Sequence, residues 1–264
     1  MKKILFTIIL YIIFSNIVLS QDMRYGVAIG WENSNYSTNY PINYKAGDLD
    51  FRSRPGFKIA FLLECPINDN IFIVPEFVFT QRGVKQDWLR DDLEIRDSIF
   101  NENKELVKTK ITHVEKRKGK SVENINYLQL PVNIMYKTQI TSDVKFSIFL
   151  GAYIGYALSG NVTSDVIDYN VTSDVIDYDV ASGVIDNNKE EPITKFPWSQ
   201  TETIKFGSGE KEYKKFDMGL NVGIGLEYAD FFLNLQYNMG LINKLNYEYY
   251  SRNNNIGISL GYLF

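Results

Sequence analysis

The sequence predicts an all-β chain: an eight-stranded antiparallel transmembrane β-barrel, up-and-down in topology, with long extracellular loops. Three observations predict it. Apolar residues recur at every second position in eight segments. The links between those segments alternate between short and long. The chain opens on an export-type leader and ends on a strand whose last residue is Phe264. A strand turns successive side chains to opposite faces, so a period of two marks one apolar and one polar face.

The leader is residues 1–20. Lys2 and Lys3 precede an apolar run from Ile4 to Val18, broken only by Thr7, Ser15 and Asn16, and Val18-Leu19-Ser20 offers a cleavage site before Gln21. That is the pattern of a secretory signal peptide. The other reading is an uncleaved anchor, but the run falls short of the roughly 20 apolar residues a helical span takes. Gln21 and not a cysteine stands immediately after the cleavage site, which argues against a lipoprotein. Residues 21–264 read as one outer-membrane β-barrel domain, since no Pro/Ser-rich linker divides them. The single cysteine, Cys65, allows no internal disulfide, and a formal net charge of −4 argues against a nucleic-acid partner.

The first strand is expected at 23–31, with Tyr25, Val27, Ile29 and Trp31 on one face, and the second at 56–65, with Phe57, Ile59, Phe61 and Leu63. The third is 71–83. The fourth, 125–137, carries Leu128, Leu130, Val132, Ile134 and Tyr136; the fifth, 144–158, carries Phe146, Ile148, Leu150, Ile154 and Tyr156. The sixth, 216–228, alternates most regularly: Met218, Leu220, Val222, Ile224, Leu226 and Tyr228 against Asp217, Gly219, Asn221, Gly223, Gly225 and Glu227. Segments 231–240 and 256–264 complete the set. Short links are expected at 66–70, 138–143 and 229–230, and long ones at 32–55, 84–124, 159–212 and 241–254. Short turns at one end and long loops at the other mark an outer-membrane barrel, and an even strand number places both chain ends at the periplasmic, short-turn end.

A soluble barrel with its apolar face inward is the competing architecture. Its outer face would be rich in Lys, Glu and Thr, whereas here the second face is largely Gly, Asn, Ser and Gln, small polar groups suited to a narrow lumen. Tyr25, Trp31, Tyr136, Tyr156, Tyr228 and Tyr262 stand near strand ends, where an interfacial girdle belongs. Phe264 fits a C-terminal signal read by the outer-membrane assembly machinery. Pro75 and Pro131 fall inside strands of a closed barrel, so each is expected at a bulge or at a lost ladder bond.

Eight strands leave an interior just wide enough for side chains to fill. The polar face carries Lys58, Glu64, Glu76, Arg82, Lys137, Lys145, Asp217 and Glu227, read as a structural lumen network because buried charges need partners. A gated proton or solute path is the alternative. Glu76 and Arg82 lie six residues apart on one face, about 20 Å, so each needs a partner from a neighbouring strand. No enzyme, cofactor or metal is expected; the alternative is a lipid-modifying enzyme that depends on His113. The single histidine, His113, sits in the basic run KTKITHVEKRKGK, and there is no nucleophile elbow, zinc-helix motif or metal-spaced cluster.

Two long loops are oppositely charged. Residues 104–120 hold Lys104, Lys108, Lys110, Lys116, Arg117, Lys118 and Lys120 against Glu105 and Glu115. Residues 161–191 hold Asp165, Asp168, Asp174, Asp177, Asp179, Asp186, Glu190 and Glu191 against Lys189. They are read as two solvated loops, as a mutually attracting cap, or as a basic patch for lipopolysaccharide. The acidic loop contains NVTSDVIDY twice, at 161–169 and 170–178, and a worn copy, DVASGVIDN, at 179–187. The two intact units lack the glycines a calcium-binding β-roll needs. Nine is odd, so a continuous strand would switch faces between copies, which predicts a turn within each unit. The Asn161 and Asn170 sequons carry no weight in a bacterial barrel. Asp97-Ser98-Ile99 resembles an O-glycosylation acceptor.

IFIVPEFVFTQRGVK (71–85) has an apolar strand, Pro-Glu, an aromatic, then a basic residue and Gly; NYLQLPVNIMYK (126–137) has Tyr-Leu-x-x-Pro; GAYIGY (151–156) and GLNVGIGLEY (219–228) are glycine-rich strands. Together these resemble the PorT-like outer-membrane β-barrel family across most strands of the mature chain. The resemblance implies an eight-stranded barrel with periplasmic ends. The expected role is structural or surface-interacting and non-catalytic; the alternative is an accessory of outer-membrane export or envelope-signalling machinery. Expected partners are outer-membrane lipid and lipopolysaccharide, the assembly machinery and other envelope proteins, around a monomeric barrel.

Overall fold

The computed structural model describes residues 23–38, 49–100, 106–170, 176–179, 185–186, 198–209, 212–245 and 251–264. The leader at 1–20 lies outside the described residues. The strands are β1 (Arg24–Thr38), β2 (Leu49–Pro66), β3 (Ile71–Phe100), β4 (Leu106–Gln139), β5 (Val144–Asn170), β6 (Ile176–Asp179), β7 (Ile185–Asp186), β8 (Trp198–Thr203), β9 (Phe216–Tyr228), β10 (Phe231–Gly240) and β11 (Ser251–Leu263).

Eight of them close a ring. β1 pairs with β2, β2 with β3, β3 with β4, β4 with β5, β5 with β9, β9 with β10, β10 with β11 and β11 with β1, all antiparallel. Closure removes every free edge within the ring, as lipid requires of a spanning sheet. The faces sort as the sequence predicts. In β9 every odd-numbered residue from Asp217 to Glu227 is buried and every even-numbered one is exposed. Ile29 is 67% exposed and Phe216 66%, yet both are apolar. The apolar face therefore points outward, to lipid, and the second face lines the lumen. β9 is 13 residues long, about 40 Å along a strand, which a tilt near 40° reduces to roughly 30 Å of height, enough for an apolar band of about 25 Å.

Glycine serves the lumen in a particular way. A Cβ on Gly261 would collide with the Phe232 ring, and one on Gly223 with the Phe149 ring. Those two rings, with Ala28, Ala60, Leu62, Val74, Val78, Met135 and Leu263, form an apolar plug inside the barrel. Part of the inner face is thus hydrophobic, beyond the small polar groups expected. Pro75 and Pro131 interrupt the ladder without shifting it. No paired partners occur at Leu63 and Glu64 opposite Pro75 and Val74, nor at Glu76 and Phe77 opposite Pro131 and Leu130, while the register on either side is continuous. Pro55 instead sits at a bulge, where the β2–β3 register shifts between Ser53 and Lys58.

Two expectations are corrected. The described parts of 84–124 and 159–212 are largely strand: β3, β4 and β5 run far past the apolar band, and β8 pairs with the extension of β5. Apolar alternation stops where lipid stops, but backbone pairing does not, so the period-two signal ends before the strand does. The repeat also contains no turn in its first unit. β5 passes through Asn161–Tyr169 to Asn170. The odd residue is absorbed by a register shift: Asp165 faces Lys120 and Asp168 faces Lys118, with one residue extra on β5. The second unit pairs with β4 as β6, and the third pairs antiparallel with β6 as β7.

Candidate functional site

The inward positions of the ring carry charge in tiers. At the short-turn end Lys137 Nζ lies 2.6 Å from Glu64 Oε2 and 2.5 Å from Glu227 Oε2. Arg24 Nη2 reaches both carboxylates at 3.0 Å, and Lys145 Nζ reaches Glu227 at 3.3 Å. Lys145 stands at the rim, its side chain 43% exposed. Further in, Lys58 Nζ lies 3.4 Å from Glu76 Oε2 and donates to Gln236 Oε1 at 2.9 Å, while Asn133 Nδ2 donates to Glu76 Oε1 at 2.8 Å. Beyond that, Arg82 is held by Glu32 at 3.3 Å, by Gln129 at 2.9 Å and by Asp217 at 3.8 Å, with its guanidinium 5.3 Å from the centre of the Tyr153 ring. Glu76 and Arg82 each take partners from neighbouring strands.

Two links contribute side chains to the outer mouth. Lys244, in the β10–β11 link, is buried; its Nζ lies 2.7 Å from Glu123 Oε1 and 3.0 Å from the centre of the Tyr36 ring. Tyr213, in the β8–β9 link, donates to Glu123 Oε2 at 2.9 Å, and Tyr36 also donates to Glu123. Lys214 N donates to Lys244 O at 2.7 Å, tying the two links together. Burial lowers the Lys244 ammonium to about 8 from its usual range, against the opposing pull of Glu123.

Six cations (Arg24, Lys58, Arg82, Lys137, Lys145, Lys244) therefore meet six carboxylates (Glu32, Glu64, Glu76, Glu123, Asp217, Glu227). The structure brings all eight sequence-predicted lumen residues onto the inner face. Sequence reasoning missed four members. Arg24 shares the face of Gly26, Ala28 and Gly30, and parity alone could have found it. Glu32 and Glu123 sit one and two residues beyond the expected strand limits. Lys244 lies in a link without a period, and no sequence signal marks it.

The outer sheet and the chain terminus complete the inventory. His113 lies in β4 opposite Glu94, its side chain outside the described residues. Among the described residues no group of three or more His, Cys, Asp or Glu is placed to hold a metal ion. Phe264 N donates to Tyr25 O at 2.7 Å, and its ring stacks on Tyr25 at 5.1 Å.

These features define a class: a closed eight-stranded barrel, apolar outside and packed with charge inside, spanning the outer membrane. Residues 19–246 match the model of the outer membrane protein beta-barrel domain, and the chain belongs to that family. Solved structures similar to it include Ail, the attachment invasion locus protein of Yersinia pestis, in complex with the heparin analogue sucrose octasulfate. That match has 12% identity, covers 92% of this chain and 100% of the other, and has a TM-score of 0.37. Neisserial surface protein A also matches, at 12% identity over 91% of this chain and 97% of the other, with a TM-score of 0.36. No curated protein matches the sequence.

Proposed function

We propose that the protein is a non-conducting outer-membrane barrel that raises a β-sheet above the membrane for surface contact, without catalysis. One observation carries this reading: β3, β4 and β5 continue as paired strand well beyond the apolar band, above a lumen occupied by paired charge and an apolar plug. From Leu128 to Leu106 β4 has 22 residues to run, roughly 70 Å of strand. Lys85, Lys118 and Lys120 are exposed within a few residues of one another just above the band, the level at which lipopolysaccharide carries its phosphates. The experiment has two arms. In planar bilayers the purified barrel should give no porin-like conductance steps. A variant with 85–120 replaced by a short turn, which removes those three lysines with the raised sheet, should fold to the same heat-modifiable band and lose binding of cells to anionic surfaces. Conductance in the first arm, or unchanged binding in the second, overturns the proposal.

A second reading, an accessory of export or envelope-signalling machinery as in PorT-like proteins, draws on the opposite end. Ile67 and Ile140, in the β2–β3 and β4–β5 turns, are 58% and 60% exposed, and apolar residues on periplasmic turns suit a protein partner. Co-purification of an envelope protein that survives deletion of 161–191 but is lost in Ile67→Asp/Ile140→Asp would favour it over surface display.

A further inference from the structure

The basic stretch and the repeat turn out to be neighbours. β4 carries Lys108, Lys110, Lys116, Lys118 and Lys120 at even-numbered positions, so all fall on one face of the strand. On its β5–β6 side the register sets Lys120 opposite Asp165, Lys118 opposite Asp168, Lys110 opposite Asp177 and Lys108 opposite Asp179. On its β3 side Lys120, Lys116 and Lys110 stand opposite Asp87, Asp91 and Asp97. Arg117 opposite Arg90 is the like-charged exception.

The spacing is what ties the repeat to this strand. Asp168 and Asp177 are the same position of consecutive units, nine residues apart; their partners Lys118 and Lys110 are eight apart. One residue per unit is therefore left over. In the first unit it is taken up between Asp165 and Asp168. From Asn170, opposite Lys116, to Ile176, opposite Ile111, the chain again gains one residue on β4. A nine-residue unit that gives up one residue advances by an even number, so Asp168 and Asp177 both stand opposite even-numbered lysines. Within the described residues β4 begins at Leu106, two residues beyond Lys108. In the third copy Ile185-Asp186 pairs antiparallel with β6.

We propose that the nonapeptide is an edge-covering module: the first two copies each lay a segment along β4, in phase with its lysines, and the number of copies that reach β4 sets how much of the basic strand is covered. An uncovered edge would be both a pairing template and a row of unneutralised lysines. Cross-strand opposite-charge pairs each add a modest stabilisation, about 0.2–1 kcal/mol, so the cover depends on several acting together.

The test is hydrogen exchange of the 106–112 backbone amides in the folded full-length barrel in lipid vesicles. Deleting one unit (170–178) brings the third copy into the place of the second, with Asp186 in the phase of Asp177, and exchange should stay within about twofold of the parent. Deleting two units (170–187) should accelerate it tenfold or more, while amides at 118–122 keep their protection. Asp179→Lys should accelerate exchange several-fold, and adding Lys108→Asp, whose β3 neighbour is the uncharged Ile99, should restore it, which loss of bulk alone would not do. Unchanged exchange in the two-unit deletion, or no rescue by the charge swap, overturns the proposal.

Discussion

Lys137 is the residue whose removal should cost the barrel most. Its ammonium is 7% exposed and makes contacts of 2.5 to 2.8 Å with Glu64 and Glu227, themselves 3% and 5% exposed. Lys137→Met keeps the volume of the aliphatic stem and removes the charge. Stripping one partner from a buried pair costs about 3–5 kcal/mol, because a charge is left enclosed and uncompensated. The low end applies, since Arg24 still bridges both carboxylates at 3.0 Å. A loss of about 3 kcal/mol shifts a urea midpoint by about 1–3 M, for slopes of about 1–3 kcal/mol per M. The assay is urea unfolding in lipid vesicles, followed by tryptophan fluorescence and by the heat-modifiable band. Lys145→Met is the control. Lys145 also meets Glu227, at 3.3 Å, but is 43% exposed, and an ion pair open to water contributes under about 1 kcal/mol. Adding Glu227→Gln to Lys137→Met removes the stranded charge and should recover more than half the loss. If Lys137→Met and Lys145→Met cost the same, the cluster is solvated and the enclosed-network argument fails.

Four more outcomes are expected. Lys244 gives up its proton near pH 8 in the folded state and near its usual 10.5 when unfolded. Between those values the unfolded chain holds more protons, so stability should rise with pH from 8 towards 10, by about 1.4 kcal/mol per unit at most. Glu123, Tyr36 and Tyr213 face the group, and Lys244→Met should abolish the rise. Gly223→Ala would push a Cβ into the Phe149 ring and to 2.6 Å from Leu235 O, costing about 1–3 kcal/mol by urea titration. Ala229 holds φ 51° in the two-residue β9–β10 turn, so Ala229→Gly should stabilise by about 1 kcal/mol in the same titration. Deleting Phe264 should lower the yield of folded barrel in cells while leaving refolding into detergent intact. If both fall together, Phe264 acts through its stacking on Tyr25 and Tyr262 and not as an assembly signal.

The barrel was legible wherever one strand face meets lipid. Ile224 and Gly225 announce opposite faces because one environment is hydrocarbon and the other a crowded lumen. Above the band that contrast disappears. Lys108-Thr109-Lys110-Ile111-Thr112 shows little apolar alternation, yet it is strand, held by β3 on one side and β6 on the other. The repeat misled for a subtler reason: the odd count was read correctly, but a bulge cancels it as well as a turn does. The lumen charges were legible by parity, and their partners were not. Glu76 with Lys58 depends on the β2–β3 register, and Lys244 with Glu123 on how two links meet at the mouth.

Why a barrel should fill its interior with ion pairs needs an argument, since well-packed apolar side chains would serve stability as well. Register supplies one. The side-chain period of a strand is two, so a slip by one residue exchanges the faces of the whole strand. A slip of β2 would turn Phe57, Ile59, Phe61 and Leu63 inward and send Lys58 and Glu64 into lipid. A lysine on the lipid face costs about 2–4 kcal/mol near the bilayer midplane, less towards the interfaces. It would also take one partner each from Glu76, Lys137 and Gln236, leaving Asn133 to hold Glu76 and Glu227 to hold Lys137, at about 1–3 kcal/mol for a buried polar group left unsatisfied. Those terms together rival the whole stability of a typical domain, about 5–15 kcal/mol. An all-apolar β2 would carry no such penalty and could sit in either register. The paired charges make the slipped barrels expensive, which an apolar filling cannot do.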